Sequence, residues 1–417
     1  MPKCFLFAWR SAFLGCLIHC VHCRSPEEDG FCESHADSLE ACRILSVSLD
    51  VRTDRGMNVA VVSPAGSDQS LDLLLEWCVL HRKELRSAVF SAKSVLLFRG
   101  WDIQVQHAEQ LIFDAIAFGK MQKYPQWFVD FNVRAQRLGV PPSNLTQREL
   151  SRNVPKPVPK SIQAPHIEFG FGPRRPRVCA FHCEIPPAAE GETALIYLPD
   201  AFSSLSNELR LLLETCGWWH HAVGFAQPSV LEHPETGLKT LQLYAFTDQQ
   251  ARLFVRAWDD VRKTSRPDFP EVDAVIFQVS PSVPEDVTLV TNSSERFLLA
   301  EEHLLEIFRA MLSSVWVHAY ERGDVLIFDN VLYGHFRMPS SGGPRMLNAI
   351  FAEEVDTRTL RPANAPDIVH RHAAKVCLGS AETVLTLIGP GGSYWVLQTL
   401  MLLPDFAFRW AGLLLWA

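Results

Sequence analysis

Three side chains on two distant segments of this chain have the types and spacing of a metal centre: His166 and Glu168, at i and i+2 within residues 164–169, and His335, just past residues 323–330. Two imidazoles and one carboxylate occupy one face of the octahedron around a first-row metal and leave three positions open, the donor set of a non-haem iron(II) site. In an extended segment side chains alternate between faces, so His166 and Glu168 point the same way and one strand supplies two ligands. His335 must come from a strand close in space. It follows an alternating, β-branched run that reads as a strand ending in a turn. The structural alternatives are an exposed strand pair for His166 and Glu168 and a turn histidine for His335. Asp329 and Asn330 read as turn formers that support His335, with Asp329 the rival carboxylate to Glu168.

The elements that must hold these residues are visible as periodicity. Apolar positions recur at helical spacing over 71–85, residues 94–99 read as a buried strand, and 106–118, 205–216, 248–261 and 300–313 read as helices. The run Val154-Pro155-Lys156-Pro157-Val158-Pro159-Lys160 excludes regular structure, since proline removes donors and fixes φ, and it suits a loop over the site. Pro173-Arg174-Arg175-Pro176-Arg177 reads as a solvated loop, with attraction of an anionic substrate or carrier as the alternative. Trp218, Trp219, His220 and His221 lie in the long insert between the two metal motifs and take no assigned role.

From about residue 61 to about residue 354 the chain resembles the taurine dioxygenase (TauD/TfdA-like) family of iron(II)/2-oxoglutarate-dependent oxygenases, in the branch whose first motif is His-x-Glu, as in clavaminate synthase-like enzymes. The resemblance rests on Val95-Leu96-Leu97-Phe98-Arg99-Gly100, the His-x-Glu segment, Cys183-Glu184-Ile185-Pro186-Pro187 leading into Gly191-Glu192-Thr193, then Gly323-Asp324, Asp329-Asn330, His335-Phe336-Arg337 and Arg345, all in the family's order. It implies a mainly β fold with flanking helices, a double-stranded β-helix or jelly roll. It implies that His166, Glu168 and His335 bind Fe(II) and that Arg345 and Thr193 hold the far carboxylate of 2-oxoglutarate. A guanidinium suits that task because its planar fork matches a carboxylate and keeps its charge when desolvated. Arg337 becomes a substrate or cosubstrate contact, with a surface ion pair as its alternative. The implied reaction consumes O2 and releases succinate and CO2 while oxidising a small amino-acid-like or carboxylate-bearing substrate, free or carrier-bound. Halogenating relatives lack the carboxylate that Glu168 supplies, so the reading is hydroxylation or another oxygenation. The chain departs from the family at Phe336, where relatives carry glycine and where a phenyl ring is expected to reshape the substrate mouth, and at Ala349, where relatives acting on taurine hold a sulfonate with arginine. A catalytically inactive jelly-roll binding protein and a metal hydrolase using the same triad are the rival readings.

Composition fits an enzyme with a sizeable core: 417 residues, 47% hydrophobic and 21% charged. A net charge of −8 and the lack of a long basic run speak against nucleic acid as a partner. The domain reading is an N-terminal extension over 1–55, an oxygenase domain over 56–355 and an apolar C-terminal extension over 356–417. Six of the eleven cysteines lie at Cys4, Cys16, Cys20, Cys23, Cys32 and Cys42, without the second ligand pair of a structural zinc site. Lys3 and Arg10 before an uncharged run resemble a weak targeting segment, and an iron(II) enzyme fits a cytoplasmic or organellar location. The C-terminal apolar pieces are interrupted by Pro404, Asp405 and Arg409 and fall short of a spanning helix, so membrane attachment is the minority reading.

Overall fold

A computed structural model of the chain describes residues 47–66, 69–119, 161–163, 165–168, 170, 174–187, 190–220, 225–242, 248–276, 288–291, 295–339 and 345–362. The Cys-rich N-terminal stretch, the proline-rich run 154–160 and residues 363–417 lie outside them. The chain divides between Ile44 and Leu45.

The described chain opens with a hairpin, β1 (Val47–Asp54) and β2 (Met57–Pro64), turning through Arg55 and Gly56 at φ 48° and 81°. Strand β1 lies inside the stretch read as an extension; its alternation is hidden because only its first residue is buried. Helices α1 (Leu71–Leu80) and α2 (Arg82–Phe90) replace the single helix expected over 71–85 and break at His81, whose ring stacks on Trp77 at 4.3 Å. Then come β3 (Ser94–Phe98) and α3 (Val105–Gln110), the latter running into a π turn at Leu111–Ala115. Next are β4 (Ser161–Gln163), β5 (Arg174–Ile185) and β6 (Thr193–Tyr197), with α4 (Leu198–Ser203) and α5 (Asn207–Thr215). The insert contributes β7 (Gly217–His220), β8 (Phe225–Pro228), β9 (Val230–Glu232), β10 (Lys239–Leu241), α6 (Asp248–Thr264), β11 (Ala274–Ile276), β12 (Thr288–Val290) and β13 (Arg296–Leu298). The last elements are α7 (Glu301–Ser313), β14 (Val315–His318), β15 (Val325–Asp329), β16 (Tyr333–Arg337) and β17 (Met346–Asp356).

Two sheets matter for the site. The larger has the order β1-β2-β3-β15-β5-β17 and the smaller the order β14-β6-β16. Val95, Leu97, Cys179, Phe181, Leu326 and Phe328 from the first pack with Leu195, Tyr197, Trp316 and Tyr333 from the second in one buried cluster. Because strand residues alternate, the opposite face of the small sheet carries Ala194, Ile196, Val315 and Phe336 into a separate core built on α4–α7. Phe336 is 1% exposed there and meets Phe254 and Trp258 edge-on at 6.5 and 6.2 Å. The expected role at a substrate mouth is therefore corrected: the ring is a core residue, and its burial contributes about 2–3 kcal/mol. Trp218 belongs to the same helical core.

Residues 174–177 also differ from expectation, forming the start of β5 rather than a loop. Strand β15 ends opposite Val178, so beyond that point β5 has lost one neighbour and Pro176 is tolerated.

Two of the family-like motifs are joined structurally. Arg99 donates through Nε to Asp324 Oδ1 at 3.0 Å and through Nη2 to Oδ2 at 2.5 Å, and Asp324 is fully buried. Gly323, at φ +84°, lets the chain turn into this ion pair. A Cβ at that position would stand 2.2 Å from the Trp101 carbonyl oxygen. Gly323→Ala is expected to lower unfolding stability by about 3 kcal/mol or more, measured by urea denaturation, through positive-φ strain added to a backbone clash.

Candidate active site

His166 and His335 are brought together by backbone. His166 N–H donates to the His335 carbonyl at 2.9 Å and His335 N–H to the His166 carbonyl at 2.8 Å, an isolated antiparallel bridge beside β16. Strand alternation on β16 sends Phe336 to the helical core and His335 to the other face. Ile167, 2% exposed, is likewise buried in the helical core, which turns its neighbours His166 and Glu168 the other way. The expected two-ligand strand is only partly formed: His166 sits in the bridge, whereas Glu168 lies in a turn closed by Gly170 N–H to the Ile167 carbonyl at 2.9 Å.

Asn330 does for Glu168 what a neighbouring strand would do. Its Oδ1 accepts the Glu168 N–H at 3.0 Å, and its Nδ2 donates to the Glu168 carbonyl at 3.0 Å and to the Pro176 carbonyl at 2.8 Å. Asn330 is fully buried, so losing its amide strands three backbone groups. Asn330→Ala is expected to cost about 3 kcal/mol of stability and roughly 10–100-fold in divalent-metal affinity, the usual effect of losing a group that orients a ligand. Denaturation and metal titration on one preparation check both.

The three candidate ligand residues offer atoms within 4.8 Å of one another. Glu168 Oε1 lies 3.5 Å from His166 Nε2 and 3.4 Å from His335 Nε2, with side chains 22%, 11% and 6% exposed respectively. Burial works to raise the Glu168 pKa, but hydrogen bonds and charge from the two histidines prevail and hold it well below the usual carboxylate range. Burial, reinforced by His166, pushes His335 down to about 4 against the pull of Glu168. An ionised Glu168 and a neutral His335 near pH 7 are the states a divalent cation requires of its ligands. The His335 ring is walled by Phe181 and Phe328 at 5.1 and 5.7 Å, and His335 Nδ1 has no hydrogen-bond partner among the described residues. Asp329 stands apart from this group. It is fully buried and accepts from Val331 N–H at 2.6 Å, His233 Nε2 at 3.0 Å and Arg177 Nε at 3.2 Å.

One row along the same strands lies a cationic cradle. The register pairs His335 with Leu195 and Arg337 with Thr193, and pairs Thr193 with His318 on its other side. Two residues along a strand is about 7 Å. Arg345 donates from Nη2 to Thr193 Oγ1 at 3.2 Å. Burial lowers the pKa of Arg345, and burial together with the Arg345 charge brings Arg337 down to about 10. The Nε atoms of both are buried without a hydrogen-bond partner among the described residues. Two neighbouring guanidinium groups with idle donors suit an anion that is absent from the protein itself. Tyr320, 7% exposed, belongs to the same cradle, since its phenol is pushed up by burial and eased by Thr193 and Arg345. Sequence reasoning passed over it, although it lies three positions before the Gly323 motif.

Among the described residues no helix is long and apolar enough to cross a membrane. The family described as "Taurine catabolism dioxygenase TauD, TfdA family" matches residues 63–351. No curated protein sequence matches the chain. Among solved structures, AAD-2 in complex with Mn(II) and N-oxalylglycine is similar at 16% identity and TM-score 0.43, over 74% of this chain and 99% of that one. PvcB, an Fe, alpha-ketoglutarate dependent oxygenase from an isonitrile synthetic pathway, is similar at 13% identity and TM-score 0.40, over 79% of this chain and 96% of its own. A taurine dioxygenase from Burkholderia xenovorans is similar at 15% identity and TM-score 0.42, over 74% and 92%.

Proposed function

Since the chain belongs to the TauD, TfdA family of taurine catabolism dioxygenases, we propose that it is an iron(II)- and 2-oxoglutarate-dependent oxygenase that hydroxylates a small amino-acid-like or carboxylate-bearing substrate, free or carrier-bound. The observation that carries this reading is a two-His, one-carboxylate cluster with two arginines, Arg337 and Arg345, whose buried Nε atoms have no hydrogen-bond partner among the described residues, one strand row away. The β-sheets that hold both belong to a double-stranded β-helix. His166, Glu168 and His335 hold the metal. Arg345 and Thr193 hold the far carboxylate of 2-oxoglutarate, with Arg337 beside them. With iron(II), 2-oxoglutarate and O2 bound, the centre supplies oxidation coupled to decarboxylation of the cosubstrate to succinate and CO2.

The chain's own residues prepare that chemistry. Asn330 fixes the backbone from which Glu168 projects, and the mutual bridge fixes the two imidazoles against one another. Phe181 and Phe328 exclude water from the His335 side. Glu168 fills a metal position that halogenation would need free, which favours hydroxylation. A hydrolase built on the same triad would have no use for two buried guanidinium groups at this distance.

Anaerobic titration of the protein with iron(II) and 2-oxoglutarate tests the reading. The expected result is the weak visible charge-transfer band of the chelate. Iron binding with no band on saturating 2-oxoglutarate sinks the oxygenase reading and favours a binding protein or hydrolase.

A further inference from the structure

The turn that presents Asn330 is held on both sides by the insert. Asp329, Asn330 and Val331 lead from β15 toward β16, and Asp329 Oδ1 accepts the Val331 N–H at 2.6 Å while the Asp329 carbonyl accepts the Leu332 N–H at 3.1 Å. Against them lies the hairpin of β9 and β10, closed by His233 N–H to the Leu238 carbonyl and Gly237 N–H to the His233 carbonyl, both at 2.8 Å. Leu231 of this hairpin packs with Val331 in a small buried cluster completed by Leu360. His233, fully buried, reaches Asp329 Oδ2 through Nε2 at 3.0 Å. Glu235 of the same turn pairs with Arg177, the other side chain on that carboxylate oxygen. The residues before and after Asn330 are thus gripped by one hairpin.

The contacts of His233 fix the part each ring nitrogen plays. Thr236 N–H donates to Nδ1 at 3.2 Å, and Thr236 Oγ1 lies 2.9 Å from the same atom. A backbone N–H can only donate, so Nδ1 is the accepting nitrogen and Nε2 carries the proton toward Asp329. One nitrogen therefore closes the hairpin's own turn, and the other leaves it to hold the carboxylate that shapes the Asn330 turn. Asn330 in its turn brackets Glu168, accepting its N–H and donating to its carbonyl, each at 3.0 Å. From His233 to Glu168 every link is a hydrogen bond or a peptide bond. Groups that orient a ligand from outside the coordination sphere are built in this way.

We propose that His233 is a positioning residue for the metal centre: through Asp329 it sets the turn from which Asn330 aims Glu168, so that the insert hairpin governs how tightly the metal is held. The inference rests on reading His166, Glu168 and His335 as the metal centre.

Two replacements in the full chain divide the imidazole by reach. In His233→Asn the amide ends near the Nδ1 position, keeping an acceptor for Thr236 and losing Asp329; in His233→Gln it extends to the Nε2 position and keeps the donor to Asp329. Ser229→Ala, at the base of the same hairpin, controls for lost stability alone, since it removes a buried hydroxyl 2.9 and 2.7 Å from the Leu213 and Cys216 carbonyl oxygens. In the metal-free protein, hydrogen exchange of the Glu168 amide is expected to quicken at least about tenfold in His233→Asn, and to stay within about threefold of wild type in His233→Gln and Ser229→Ala. The Cys183 amide, bonded to the Asp324 carbonyl at 2.8 Å, is the internal reference. On titration with Mn(II), His233→Asn is expected to bind about tenfold or more weakly, with His233→Gln close to wild type. Unchanged Glu168 exchange in His233→Asn, equal acceleration in Ser229→Ala, or unchanged Mn(II) affinity in His233→Asn overturns the proposal. Should His233→Asn not fold, His233→Gln decides: wild-type exchange at Glu168 supports the Asp329 link, and accelerated exchange or failure to fold overturns it. Failure of wild type to bind Mn(II) counts against the metal-centre reading instead, and the exchange at Glu168 then decides whether His233 holds that residue.

Discussion

His335→Ala is expected to abolish the iron(II)–2-oxoglutarate charge-transfer band and to lower succinate release by more than about 10³-fold, well beyond the 10–100-fold typical of losing a group that merely orients a ligand. The reason is that His335 carries two tasks. On the proposed reading its imidazole is the third donor, 3.4 Å from Glu168 Oε1, and its hydrogen bond helps keep Glu168 ionised. Without it the carboxylate loses one of the two hydrogen bonds that depress its pKa, so two of three donors are compromised by one substitution. The fold should survive, because the bridge to His166 is made by backbone atoms that alanine retains. Far-UV circular dichroism checks the fold, and equilibrium dialysis against iron(II) under anaerobic conditions checks the metal. Retention of near-wild-type iron affinity in this variant would remove the ligand assignment.

Arg345→Met separates the cosubstrate from the metal. Truncating a buried charged partner costs about 2–5 kcal/mol, so the half-saturating 2-oxoglutarate concentration is expected to rise roughly 100-fold or more while iron affinity is unchanged. Apoprotein stability should hold or rise, since the variant removes one of two mutually repelling guanidinium groups that burial already disfavours. Titrating the same visible band with 2-oxoglutarate, alongside a thermal melt, reads both effects. An unchanged 2-oxoglutarate requirement would move the anchoring role to Arg337, for which Arg337→Met is the matching variant.

The two parts of the site differ in how far they could be read before the structure. The His-x-Glu spacing and the late histidine identify a donor set because side-chain alternation is a local rule. The turn at Glu168 and its clamp by Asn330 are not local: they depend on a buried amide brought from the far end of β15. A substitution pattern alone does not place Phe336, although alternation does, since a strand that turns His335 toward Glu168 must turn position 336 away. Pro176 disguised the start of β5, because proline argues against a strand unless a neighbouring strand has already ended. Strand β1 was hidden by its exposure, and the break at His81 by an apolar pattern that continues across it. Helices such as α6 and α7, whose amphipathic repeat is long, were legible throughout.

The position of β15 in the large sheet has a consequence for synthesis. It lies between β3 and β5, strands made much earlier, which therefore lack their shared neighbour until it arrives. A nascent chain that has emerged through the insert but not through β15 has no completed sheet, no Asn330 clamp and only two of the three proposed ligand residues. On that ligand set, iron is captured only after nearly all of the described chain has left the ribosome. The late arrival of β15 and β16 thus makes metal capture a late step, coupled to closure of the sheets.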